Sequence, residues 1–178
     1  EGAATALPPR NEVSAAFARE VGTFLEREIA PRAAALQAEI ASARGNPRPR
    51  NQLGVLYARH GFLDKAEAEF RAALAAGDYG PALLNLGNVQ LLKGDRDGAL
   101  ESYDRAARAA PGDAKAVLSL ARVQHELENF GQAAKLYERL KALDPRLAER
   151  YAYLGQRSEE ATRAAAAEDS TGRVLWIE

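Results

Sequence analysis

Cysteine and methionine are both absent from this 178-residue chain. Without cysteine there is no disulfide, no thiolate nucleophile and no Cys-ligated metal. Two histidines are the only imidazoles, which leaves little material for a metal site or for general-base catalysis. Neither sign of charge is in excess, with 24 Lys and Arg against 25 Asp and Glu, so the basic surface that nucleic acids require is lacking. No uncharged run approaches the roughly 18 to 20 residues of a membrane-spanning helix, and direct membrane insertion is not expected. There is no Ser-His-Asp order, glycine-rich phosphate loop or close pair of carboxylates on a defined element. The chain therefore reads as non-enzymatic, with no cofactor and no metal. From the missing methionine the chain is expected to be processed or excised from a longer protein. It opens on Glu1-Gly2-Ala3-Ala4 with no apolar signal-like segment, and the lack of cysteine fits bacterial cytoplasm and periplasm equally.

Alanine is what the chain has in quantity, 39 residues against 5 Phe, 6 Tyr and 1 Trp. Such a balance favours helices packed closely through small side chains over sheets of β-branched and aromatic residues. With 47% apolar and 28% charged residues the chain is neither disordered by composition nor too polar to bury a core. Arginine outnumbers lysine 19 to 5, a bias associated with GC-rich bacterial genomes.

The helical material is repetitive. Gly54, Gly87, Ala121 and Gly155 are spaced by 33, 34 and 34 residues. The same register aligns Leu53, Leu86, Leu120 and Leu154, then Ala66, Ala99 and Ala133, then Phe70, Tyr103 and Tyr137. Within a unit the spacing is helical, as in Leu53, Leu56, Tyr57 and again in Leu63, Ala66, Phe70, Ala73, Leu74. Turn residues fall between the two runs at His60-Gly61, Lys93-Gly94-Asp95 and Glu128-Asn129. They close the second run at Gly77-Asp78, Pro111-Gly112-Asp113 and Asp144-Pro145. Each unit is thus a helical hairpin, in which small residues at the Gly and Ala columns allow close approach of the two helices. The aromatic column is expected to fill the space between one hairpin and the next, so that each unit buries its apolar face only by stacking on neighbours.

A period of about 34, Leu-Gly in the first helix, Ala and then an aromatic in the second, and a closing Pro together resemble the tetratricopeptide repeat. The best unit runs from Pro81 through Asn85-Leu86-Gly87-Asn88 to Ala99, Tyr103, Ala106 and Pro111. Gln90 and Gln124 stand where the family usually has an aromatic, and Asp78 stands where the first unit would have its Pro. The resemblance implies an all-α, right-handed superhelix of helical hairpins, an α-solenoid. Three repeats are expected at 47–79, 80–113 and 114–147. Residues 1–46 would hold a loose N-terminus and a helical cap or degenerate repeat, its helices at about 11–29 and 31–44 meeting near Pro31. One face of the first would carry Val13, Phe17, Val21, Phe24 and Ile29. Residues 148–178 would hold a capping helix, to about residue 167, and an apolar tail.

The resemblance also implies that the first helices line a concave groove that binds an extended peptide or a partner helix. Gln52, Asn85 and Ser119, then Asn88 and Arg122, are the polar residues expected to face it, with Lys115 beside them. An Asn amide donates and accepts at once, which suits a peptide backbone whatever its side chains. The two-carboxylate clamp of some co-chaperone domains is matched only in part, by Asn85 and Lys115. Asn51, Val55 and Ser119 depart from it. Arg48, Arg59, Lys115 and Arg122 would favour an acidic or C-terminal peptide segment as partner. His125, with Glu126 and Glu128 nearby, is weak material for a metal.

The segment Val174-Leu175-Trp176-Ile177 is apolar and β-prone after a polar helix end. Either it docks on the array, or it lies in another chain's groove and makes a homo-oligomer, or it continues into a longer protein. Its seats are the concave groove or, nearer in sequence, the apolar face left by the unfinished fourth unit. The chain is accordingly read as a protein-binding scaffold, the alternatives being a self-associating structural subunit and an accessory interaction domain of a larger protein.

Overall fold

The computed structural model describes residues 20, 22–43, 45–156 and 176–178. All regular secondary structure among the described residues is helical, without a strand. A π turn at Leu25–Ile29 leads into α1 (Ala30–Ser42), followed by three hairpins. These are α2 (Pro47–Arg59) with α3 (Leu63–Ala73), α4 (Gly80–Leu92) with α5 (Arg96–Ala109), and α6 (Ala114–Glu126) with α7 (Phe130–Leu143). A short α8 (Pro145–Arg150) and a 3-10 turn at Ala152–Gly155 end the array. Each helix packs on its neighbour in sequence, and the first helices of successive hairpins touch along one side, giving the right-handed solenoid.

Capping residues set the helix starts. Asn46 accepts from the Arg48 N–H at 3.0 Å, Asp95 from Gly98 at 2.9 Å, Asp113 from Lys115 at 2.8 Å and Asp144 from Leu147 at 2.9 Å. Pro47 and Pro145 occupy first-turn positions, where a missing N–H is harmless. The turns inside the hairpins share one device, a left-handed residue at Gly61 (φ 79°), Gly94 (φ 83°) and Glu128 (φ 61°). Glycine takes that conformation freely, whereas glutamate pays for it with its Cβ.

The small-residue column works through contact with aromatic rings. A Cβ placed on Gly54 would lie 2.5 Å from Phe70 Cε1, and one on Gly87 2.5 Å from Tyr103 Cε1. Phe70 and Tyr103 thus lie on the glycine of their own hairpin as well as closing the gap to the next, and both are buried. In the third hairpin Ala121 carries the methyl that the other two lack. Tyr137 lies instead against Gly155 of the following turn and stays half-buried. Where an aromatic is usual, Gln90 is buried, and with its amide nitrogen turned toward Ser102 Oγ at 2.7 Å and Gly98 O at 3.1 Å it donates to both. Lys93 reaches back to Asp64 at 2.7 Å and to the buried Glu67 at 2.6 Å, tying the second hairpin to the first.

Both ends differ from the sequence reading. Two helices meeting at Pro31 are expected, but the chain runs from residue 22 through the π turn directly into α1, with Pro31 in its first turn. The wider turn changes the helical phase between Phe24 and Ile29, so that the two no longer share a face. Phe24 is 42% exposed, while Ile29 and Ala33 are buried against Leu53 and Leu56. Val13, Phe17 and Val21 lie outside the described residues. At the other end a helix continuing to about residue 167 is expected. Instead α8 stops at Arg150, and the tighter turn that follows drives Leu154 into the cluster of Val117, Ala121 and Leu140. Residues 157–175 lie outside the described residues.

Candidate functional site

The concave face is lined by α2, α4 and α6, and the chain's own last residues lie across it. Ile177 donates its N–H to Asn85 Oδ1 at 2.8 Å and accepts from Asn85 Nδ2 at 2.6 Å, so one amide side chain satisfies both backbone groups of one residue. Asn51 Nδ2 donates to the same Ile177 carbonyl at 2.9 Å, and Asn85 Nδ2 also donates to Asn51 Oδ1 at 2.9 Å. Covered by the tail, Asn51 and Asn85 are fully buried yet hydrogen-bonded, as buried amides must be. A segment held in this way is recognised by its backbone, which any extended sequence offers.

The tail's side chains go to opposite sides, as the period-two alternation of an extended chain requires. Trp176 packs on the first hairpin, its ring stacked on Phe70 with centroids 6.4 Å apart and planes 19° from parallel. Glu178 returns to the same side and pairs with Arg59 at 2.8 Å. Ile177 faces the other way, against the cluster that contains Leu84, Tyr103 and Leu120. Two cavities lie beside the last two residues. Beside Glu178 a cavity of about 280 Å³ between α1 and α2 is lined by Arg32, Gln52, Arg59 and His60. Beside Ile177 a cavity of about 380 Å³ is lined by Leu84, Leu118, Tyr151, Lys115, Ser119 and Arg122.

The six residues expected to face the groove take different places. Asn85 holds the tail, and Lys115, Ser119 and Arg122 line the larger cavity with Asn88. Asn88 is oriented from behind, its Oδ1 accepting from the Tyr103 hydroxyl at 2.6 Å. Burial pushes the Tyr103 hydroxyl well above the usual phenol pKa, so it remains a donor. Gln52 lines the smaller cavity. The 33-residue register puts Gln52 level with Asn85, but the structure brings Asn51 there. Asn51 stands 34 residues before Asn85, and a 34-residue spacing was the visible signal for it. Arg59 appears among the residues expected to make the groove basic, and its partner proves to be the tail.

The tail's seat also differs from the nearer of the two anticipated. The unfinished fourth unit is closer in sequence, but its apolar face is already closed by Leu154 and Ala148, both buried. Trp176 packs instead on the cluster around Phe70 and Ile177 on the cluster that contains Leu84, Tyr103 and Leu120. Val174 and Leu175 lie outside the described residues.

His125 is sealed edge-on between Phe130 and Tyr153, with ring centroids at 5.0 and 5.1 Å. Burial lowers its pKa below that of an ordinary imidazole. Glu126 turns away to Arg96 at 3.7 Å. No group of three or more His, Asp or Glu placed to hold a metal occurs among the described residues, and no described helix is long and apolar enough to cross a membrane.

Many solved structures share this fold. Over 104 residues the chain is 27% identical to mouse (Mus musculus) tetratricopeptide repeat protein 8, a match that covers 58% of this chain and 20% of that one. The chain thus spans about a fifth of the length of that relative. Among solved structures, MamA (41-end) from Desulfovibrio magneticus RS-1 superposes with a TM-score of 0.62 at 20% identity, covering 86% of this chain and 89% of that one. The first such domain of Spaghetti (RPAP3), bound to the HSP90 peptide SRMEEVD, superposes with a TM-score of 0.54 at 19% identity over 71% of this chain and 92% of that one. A tetratricopeptide repeat family model matches residues 51–114 and 84–148, more than half of the chain, and with the paired helices, the glycine-on-aromatic contacts and the concave amide ladder already described, this chain belongs to the tetratricopeptide repeat family.

Proposed function

We propose that this chain is a non-enzymatic interaction scaffold that holds an extended segment of a partner protein in its concave groove. The observation that supports this most directly is the Asn85 amide, which donates to the carbonyl and accepts from the N–H of a single residue at 2.6 and 2.8 Å. A residue that only solvated a helix would have no need of that geometry. Asn85 and Asn51 grip the backbone, Asn88, Lys115, Ser119 and Arg122 line the continuation of the groove, and Gln52 lines its opposite end. The division into repeats at 47–79, 80–113 and 114–147 belongs to this reading, because it makes each first helix a strip of the groove floor. The RPAP3 domain that shares the fold carries a peptide, which lends the reading support from outside the chain. Lys115, Arg122 and Arg59 favour an acidic segment. Binding is expected in the micromolar range, about −8 kcal/mol.

The test is a selection of randomly displayed peptides on the Ile177→Pro chain, in which the tail can no longer donate its backbone N–H. The same selection on Ile177→Pro with Asn85→Ala and Asn88→Ala should lose the retained sequences. If both chains retain the same peptides, the groove is not the binding surface.

A further inference from the structure

Three residues of the chain itself lie in the groove, and each is held in a different way. The backbone of Ile177 is gripped by Asn85 and Asn51, Trp176 is stacked on Phe70, and Glu178 is paired with Arg59. Because side chains alternate along an extended segment, only a residue triplet of one order can make all three contacts from one backbone position. An aromatic must come first, to reach the first hairpin. An aliphatic residue must follow, turned to the apolar cluster of Leu84 and Leu120. An acid comes third, on the side of Arg59.

We propose that the groove selects, in a partner protein, an extended segment that reads aromatic, β-branched aliphatic, acidic, and that Trp176-Ile177-Glu178 is the internal copy of that ligand, which the partner displaces. The inference rests on the groove-binding function above and adds to it the partner's sequence class and a self-competing tail. The seat of Ile177 shows how displacement is favoured. The cavity of about 380 Å³ beside it is lined by Leu118, Tyr151, Lys115 and Arg122. A partner segment with a larger aliphatic side chain at that position, or with further residues of its own, fills that space. A ligand on the same chain acts at an effective concentration that a free peptide must exceed, so an unaided triplet binds the native chain poorly while a longer partner segment replaces the tail.

The probe is a fluorescein-labelled peptide of residues 171–178, Thr-Gly-Arg-Val-Leu-Trp-Ile-Glu, titrated by anisotropy into the native chain and into full-length Ile177→Pro. The peptide is expected to bind Ile177→Pro about a hundredfold more tightly than the native chain, by removal of the tethered competitor. A peptide with Pro in place of its Ile should not bind, and one with Ala in place of its Trp should bind at least several-fold more weakly. Full-length Trp176→Ala provides a second opened groove, and circular dichroism of both variants establishes that the array is folded. Equal affinity for native and opened chains overturns the self-competition. No binding to either opened chain, or equal binding of a scrambled peptide, overturns the sequence class. A mass that rises with concentration, and returns to that of one chain in Ile177→Pro, overturns the separate partner and makes a second copy the source of the segment. If this peptide fails while the display selection yields Asn85-dependent peptides of another pattern, groove binding stands and only the triplet falls.

Discussion

Asn85 and Ile177 stand 92 positions apart in the chain and exchange two hydrogen bonds, as two residues do across an antiparallel ladder. Each such bond contributes about 1 kcal/mol net, and a buried Asn51 left without its carbonyl partner adds to the loss. Asn85→Ala should therefore release the tail. Trp176 is the sole tryptophan, so its emission reports the event directly. It should be blue-shifted in the native chain and move to a water-like maximum, open to quencher, in Asn85→Ala. An unchanged spectrum would mean that the stacking on Phe70 holds the tail without the amide.

Gly87 lies under the Tyr103 ring with no room for a methyl. Gly87→Leu should destabilise the chain by about 1 to 3 kcal/mol through overpacking. Glu101→Ala, at an exposed position of α5, should stay within about 0.5 kcal/mol of native. Urea unfolding measures both, and equal effects would contradict the packing of that hairpin.

Glu128 holds the left-handed position that glycine holds in the other two hairpins. Glu128→Gly should remove a Cβ clash that costs about 1 kcal/mol and so stabilise the chain, in spite of the greater freedom glycine brings to the unfolded state. A thermal midpoint that falls on substitution would show that the third hairpin turn bears no strain.

His125 is kept neutral by burial, its pKa lowered below the ordinary imidazole value. As pH falls through that ordinary value, the unfolded chain takes up a proton that the folded chain refuses, so stability is lost on acidification. The loss ceases once pH is below the folded pKa. Thermal unfolding at about pH 7.5 and about pH 5 should show a larger drop in native protein than in His125→Gln, where this contribution is gone. Equal drops would place the pH sensitivity elsewhere.

Local periodicity determined the repeat. Leu53, Gly54, Ala66 and Phe70 and their counterparts meet the same neighbours in every unit, so one unit's sequence carries its own packing, and the hairpins could be read without a structure. Asn85 was legible as a groove residue for the same reason, being a polar side chain beside the inward Leu-Gly pair. The ends were not legible, because they lack a repeating neighbour. The π turn before Pro31 and the break after Arg150 depend on which face of Ile29 and Leu154 the array leaves open. Nor did spacing alone choose Asn51 over Gln52, since adjacent residues of a helix differ by about a hundred degrees in direction and only the stacking of α2 on α4 selects one. The tail's apolar character was in the sequence. Its seat was decided in three dimensions, where Leu154 had already filled the nearer face and the amides of Asn51 and Asn85, brought together from two repeats, offered a backbone the hydrogen bonds it needed.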